Sequence, residues 1–283
     1  MVHSAAGGDI QHRVSRGEPD LEYRLFVPKR IHPNRPVFVA VHGISRDADE
    51  QLSAWAPHAA RHGLVLVAPR FDARCFPDYQ RLGRSGRGPR ADHALLRVVE
   101  EVRSALALHS RRLLLFGYSG GGQFVHRFAM AYPHVVRAAV VAASGWYTFP
   151  EPTSPYPFGL RVRHRLPGIR FRERALLRVP ILVVVGDGDT ARESSLNRSR
   201  LVDRQQGRNR VERADNWCRA MRAAAERRKL PSRIDRQSIP AVAHSFSAAF
   251  EAGLGTAALS FLRRRRRKGE VRSSTTQREK ASE

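Results

Sequence analysis

Gly117-Tyr118-Ser119-Gly120-Gly121 puts a serine between small neighbours, directly after the apolar run Leu113 to Phe116 and ahead of a helical stretch. A strand that turns sharply into a helix around a serine needs small flanking residues, because the turn is tight and its central backbone is strained. The hydroxyl then stands clear of the sheet at the positive end of a helix, where developing negative charge is favoured. A hydroxyl is a weak nucleophile by itself; it needs a base, and the base needs an acid to orient it. Asp187 and Asp189 both follow the apolar run 180–185, in the place of an acid just past a strand's end. Asp189 is the first choice and Asp187 the alternative, while the plain structural reading makes both of them turn residues. Among twelve histidines, His244 stands apart: it comes late, after a short strand and before a helix. Ser, Asp and His in that chain order spell acyl transfer, with Ser119 attacking, His244 taking its proton and Asp189 holding the imidazole.

An acyl-transfer intermediate carries an oxyanion that backbone N–H groups must meet. Gly120 N–H is one expected donor. The other is expected from His42-Gly43-Ile44-Ser45, with Ile44 first and Ser45 second. His42 precedes a glycine turn and is expected to order that loop rather than act as the base. Tyr118, Trp146 and Tyr147 are the expected substrate-facing aromatics. This chemistry requires no metal and no organic cofactor.

The elements that must carry these residues alternate between strand and helix. Strands are expected at 21–28, 37–41, 64–68, 113–116, 137–143 and 180–185, with a short one from Ser238. The continuous apolar runs among them suit strands buried on both faces of a parallel sheet. Helices are expected at 49–62, closed by Gly63, then at about 91–108, on from Ser119 to about Tyr132, at 211–228 and at 246–262. The helix at 211–228 shows an apolar stripe through Ala214, Trp217, Cys218 and Met221, with arginines opposite it that read as solvated. Residues 1–20 read as a frayed start or an edge strand, and 73–91 as a loop. The alternation predicts a mostly parallel sheet with helices on both faces.

His42-Gly43, Gly117 to Gly121, the Asp187/Asp189 turn and His244, in this order, resemble the α/β-hydrolase superfamily over roughly residues 20–262. Gly117 through Ser144-Gly145-Trp146, with Tyr132-Pro133 inside it, is similar to the small uncapped esterases near the poly(3-hydroxyalkanoate) depolymerase and feruloyl esterase group. The resemblance implies the α/β-hydrolase fold with about eight strands, and ester hydrolysis through an acyl-enzyme on Ser119 completed by Asp189 and His244. Ile44 after Gly43 departs from the several glycines of the lipase pattern. The short stretch between Ser119 and Asp189 leaves no room for a large cap, although 146–178 could form a small lid.

The chain has 283 residues and a formal net charge of +24. It is expected to form one domain over 1–262 and a basic, disordered tail over 263–283. Lysine occurs only at Lys29, Lys229, Lys268 and Lys280, so nearly all the positive charge is arginine. It is scattered along the chain, except for the block Arg263 to Lys268, and scattered charge reads as a solvated surface. A basic scaffold that contacts nucleic acid is the competing reading, and no nucleic-acid motif supports it. Two distant cysteines exclude a disulfide framework and a cysteine-rich zinc site. No apolar run is long enough to span a membrane. The first residues lack a signal-peptide pattern, which points to a cytoplasmic protein acting on a small ester.

Overall fold

The computed structural model describes residues 2–5 and 7–264. Its sheet is laid down on four strands that are apolar and buried except for the exposed Arg137 of β7: β4 (Val37–Val41), β6 (Leu113–Tyr118), β7 (Val136–Ala142) and β8 (Ile181–Gly186). Alternate residues of a strand point to opposite faces. Val39, Val41, Leu115 and Val183 therefore enter one core, and Phe38, Ala40, Phe116 and Val184 enter the other. Each face needs a helical cover, which is why these strands read as unbroken apolar runs.

Among the described residues the sheet has nine strands in the order β1-β2-β3-β5-β4-β6-β7-β8-β9. The others are β1 (Val2–Ala5), β2 (Gly8–Ser15), β3 (Leu21–Pro28), β5 (Leu66–Arg70) and β9 (Ile234–Ile239). Pairing is antiparallel from β1 to β5 and parallel from β5 to β9. The mostly parallel sheet of about eight strands expected from the sequence is β2 to β9, with β1 added at the edge. The chain crosses from β5 over β4 to reach β6. This reversal of strand order opens a crevice at the carboxyl ends of β4 and β6.

One face is covered by α1 (Ala48–His62) and by the chain's last described helices. Asp47 caps α1 by accepting from Glu50 N–H, and Gly63 closes it at φ 56°, as expected from the sequence. Trp55 of α1 is fully buried, and its ring centroid lies 5.1 Å from that of Phe38, 4.7 Å from Phe116 and 4.9 Å from Phe250. The opposite face carries α2 (Ala91–Ala105) and α3 (Gly120–Ala131). It then receives a short α4 (Glu173–Leu176), α5 (Arg200–Gln206) and α6 (Arg210–Arg227).

Several expectations change. β9 begins at Ile234 rather than Ser238, because its middle residues Asp235 to Ser238 are polar and no apolar run marks it. The closing helix expected over 246–262 is broken into α7 (Phe246–Ala249), a π turn over Phe250–Leu254 and α8 (Gly255–Arg263). Gly253 breaks it at φ 102°, a conformation that residues with a side chain rarely adopt. The polar stretch after Asp189 holds α5, capped by Ser199. Residues 73–91 lack long elements, yet Phe76, Tyr79 and Leu82 within them are buried. Within 146–178, where a small lid is possible, Trp146, Tyr147, Tyr156 and Leu166 are buried and Glu151 to Thr153 and Arg163 to Arg165 are exposed. Of the basic tail, Arg263 ends α8 and Arg264 pairs with Asp235 at 3.0 Å; residues 265–283 lie outside the described residues.

Trp55→Ala should remove the aromatic keystone of one core and cost about 3–5 kcal/mol. Urea unfolding would read this as a lower midpoint at an unchanged slope. A loss under about 1 kcal/mol would mean that the layer repacks without it.

Candidate active site

Ser119 sits at φ 53° and ψ −110° between β6 and α3, a strained backbone for a residue with a side chain. The turn is possible because its neighbours lack side chains. A Cβ on Gly117 would lie 2.3 Å from Gly121 O, and one on Gly121 would lie 2.1 Å from Val41 O. The start of α3 therefore rests directly on the ends of β4 and β6. Ser119 is 7% exposed at the C-terminal edge of the sheet.

The structure brings Ser119, His244 and Asp189 together. Ser119 Oγ lies 3.0 Å from His244 Nε2, and His244 Nδ1 lies 2.7 Å from Asp189 Oδ2. A carboxylate can only accept, so Nδ1 carries the proton and Nε2 is free to accept from the serine. The Tyr118 ring stacks on the imidazole at 5.4 Å between centroids. Asp187 goes elsewhere: its Oδ1 accepts from Ala241 N–H at 2.7 Å, which ties the turn after β8 to the loop after β9.

Asp189 is 1% exposed, and its other oxygen accepts from Arg210 Nη1 at 3.0 Å. Arg210 is equally buried and also donates to Ser195 Oγ at 3.1 Å. A buried carboxylate is tolerable only when paired and hydrogen-bonded, and here a histidine and an arginine divide its two oxygens. Sequence reasoning missed Arg210. It lies one residue before the helix expected at 211, on the apolar side, where charge is least expected. Arg213, one turn on, is buried too and donates to Gly145 O at 2.6 Å. Arg219 and Arg227, on the outer side of α6, are exposed as expected.

The loop after β4 is held by two aromatic groups. His42 is fully buried; its Nδ1 donates to Gly43 O at 2.8 Å and its Nε2 accepts from Phe71 N–H at 3.0 Å. Both ring nitrogens are used, and burial pushes its pKa down to about 4, so it stays neutral and orders the loop. Tyr79, from the segment read only as loop, donates to Gly43 O at 2.8 Å. The space beside Gly120 is walled by Tyr79, Gln80 and Ile44, whose atoms would lie 2.5, 2.9 and 3.1 Å from a Cβ there. Ile44 itself is 51% exposed at this mouth. A buried tyrosine one turn after Phe76-Pro77 was the available signal for Tyr79.

Trp146 and Tyr147 are turned into the interior. Trp146 is buried beneath the Arg127 guanidinium, 4.4 Å from its ring centroid. Tyr147 is fully buried and stacks on Trp217 at 4.9 Å. The reason is a second histidine clamp: His126 Nδ1 donates to Gly122 O at 2.9 Å and Nε2 accepts from Thr148 N–H at 3.0 Å. It pulls residues 146–148 down onto α3, where the Tyr147 ring meets Trp217 and Thr148 O accepts from Trp217 Nε1 at 2.8 Å. Burial holds His126 well below the usual imidazole range. Among the described residues no group of three or more His, Cys, Asp or Glu side chains is placed to hold a metal, and no helix is long and apolar enough to cross a membrane.

Arg210→Met would leave the Asp189 carboxylate buried with one partner and should cost about 3–5 kcal/mol in urea unfolding; a neutral result would mean that water reaches Asp189. The two clamping histidines set a pH dependence. Their folded pKa values lie below the unfolded value of about 6.5, so the unfolded chain takes up protons first as pH falls. Stability is full above that value and is lost as pH falls below it, by about 2 kcal/mol at pH 5 for His42, with its folded pKa of about 4. His42→Gln should reduce the difference between unfolding free energies at pH 7 and pH 5 by about that amount; an unchanged difference would show that His42 is already solvated.

No protein-family model matches the chain. Poly(aspartic acid) hydrolase-1 from Sphingomonas sp. KT-1 superposes with a TM-score of 0.76 at 24% identity, over 89% of this chain and 98% of that one. LpqC, a poly(3-hydroxybutyrate) depolymerase from Bordetella parapertussis, superposes at 0.73 with 29% identity, over 89% and 94%. Feruloyl esterase B from Thermothelomyces thermophilus is 27% identical over 133 residues, 43% of each chain. The chain spans less than half the length of the curated relatives it matches. Both kinds of esterase that the sequence resembles are thus among its relatives. The superpositions cover its sheet and helices together: the chain has the α/β-hydrolase fold, and its structural neighbours are esterases and hydrolases of that fold.

Proposed function

We propose that this protein is a serine hydrolase that cleaves a carboxylic ester through an acyl-enzyme on Ser119. The observation that carries the reading is the relay Asp189–His244–Ser119, closed by hydrogen bonds of 2.7 and 3.0 Å at the mouth of the β4/β6 crevice.

His244 Nε2 takes the Ser119 proton as Oγ attacks the ester carbonyl, and Asp189 stabilises the imidazolium that forms. The oxyanion accepts from the N–H groups of Gly120 and Ile44. Gly120 opens α3, whose first N–H groups have no partner within the helix, and Ile44 lies in the loop that His42 and Tyr79 hold rigid. His244 then protonates the leaving alkoxide, water attacks the acyl-enzyme with His244 as base, and the acid is released. Tyr118 backs the imidazole, and the exposed Ile44 side chain offers apolar contact at the mouth. The same relay serves thioesters, peptides and acyl transfer; the esterases among the relatives favour the ester.

Ser119→Ala should lower kcat/KM for a short-chain p-nitrophenyl ester by at least about 10⁴-fold, with an unchanged fold by circular dichroism. Asp189→Asn should lose a comparable factor and Asp187→Asn much less. Equal activity of wild type and Ser119→Ala would remove the nucleophile assignment.

A further inference from the structure

At the edge of the sheet opposite Ser119 lies a cavity of about 260 Å³ lined by Arg30, His32, Arg35, Arg61, His62 and Arg263. Three separate elements supply them: the connection from β3 to β4, the last turn of α1, and the end of α8. Among the described residues no carboxylate lines the cavity. The neighbouring Arg264 shows the alternative, since it is paired with Asp235.

Cations are ordinary at helix C-termini, and both α1 and α8 end here. Each terminus carries about half a negative charge, so two of them offset about one of the four guanidinium charges. Roughly three remain. The carbonyls at the end of α1 are moreover already served by the chain itself, with Leu64 N–H donating to Ala59 O at 3.0 Å and Gly63 N–H to Ala60 O at 3.2 Å. The arginines are therefore not needed as caps.

The positive groups are also held close. Gly63 lies at φ 56°, and a Cβ on it would be 2.9 Å from the His32 ring and 3.1 Å from Arg30 O. The connection is thus seated directly on the end of α1, and a turn bond from Arg35 N–H to His32 O, at 2.9 Å, shapes it. Arg263 Nη1 approaches His62 Nε2 at 3.4 Å; a guanidinium can only donate, so that nitrogen is unprotonated. Burial and then Arg263, Arg61 and Arg35 hold His62 below the usual imidazole range, as expected where like charges converge.

We propose that this cavity binds a small multivalent oxyanion of the diphosphate class, at a site separate from Ser119. Guanidinium forks from three directions match the oxygens of such an anion, and its charge relieves their repulsion. The proposal is independent of the catalytic reading.

Calorimetric titration of the full chain with pyrophosphate, at near-physiological salt, tests it. Wild type should bind saturably at about one site. Arg35→Ser/Arg263→Ser should weaken binding by about tenfold or more, as two charge-assisted contacts are lost. Arg161→Ser/Arg165→Ser removes the same charge from exposed residues of another segment and should change affinity less than about twofold. Thermal unfolding checks that each variant folds; if the double variant does not, Arg263→Ser alone should weaken binding severalfold. Absence of saturable binding by wild type would overturn the proposal, and so would equal losses in both doubles. A DNA oligonucleotide that binds more tightly and displaces pyrophosphate would assign the surface to a nucleic-acid backbone instead and overturn it as well.

Discussion

The contact on which the candidate site depends is backbone on backbone. Gly121 lies against the carbonyl of Val41, and Gly117 lies against Gly121, at separations that no side chain fits. This approach lets α3 begin at once after β6 and forces Ser119 to φ 53°. The helix N-terminus and the loop after β4 then meet at one point. There the serine hydroxyl meets His244 Nε2 at 3.0 Å. The strain at Ser119 is tolerated because four buried strands hold both ends of the turn.

A second layer of organisation is electrostatic. The interior on the α3/α6 side holds Arg127, Arg210 and Arg213, which is costly unless each guanidinium is hydrogen-bonded. Arg210 is matched to Asp189, and Arg213 to Asp203 at 2.8 Å. Arg127 pairs with no carboxylate among the described residues. It donates to Thr148 Oγ1 and Gln80 O and lies over Trp146, while burial pushes its pKa down to about 9. His42 and His126 solve the same problem by remaining neutral, each with one nitrogen donating and one accepting. Each pins a catalytic-edge segment to the body of the protein. The scaffold is thus basic in composition, yet its buried cations do structural work near the site.

The charge divides by location. On the catalytic edge, the buried Arg210 and Arg213 are neutralised by Asp189 and Asp203, and the half-buried Arg84 by Asp78. On the opposite edge, Arg30, Arg35, Arg61 and Arg263 gather with no carboxylate among the described residues lining their cavity. Scattered charge in the sequence thus conceals a paired population and an unpaired one.

The sequence by itself determined the buried strands of the sheet, the serine turn and the order of serine, acid and histidine. Those features rest on local rules: apolar runs for doubly buried strands, glycines where a turn admits no Cβ, an acid past a strand's end. It named Ile44, Gly120 and the ordering role of His42 on the same grounds. Tertiary structure alone decided between Asp189 and Asp187 as the partner of His244, because two residues of spacing reverse which way a turn residue points. It alone turned Trp146 and Tyr147 inward, since the pull comes from His126, which lies on another element. It also disclosed Arg210 and Tyr79, whose roles depend on partners far along the chain. β9 and the break at Gly253 stayed hidden because an edge strand carries polar residues and a glycine inside an amphipathic run leaves the periodicity intact. Local chemistry is written in residue type and spacing; which buried charge meets which depends on distances that exist only after the chain has folded.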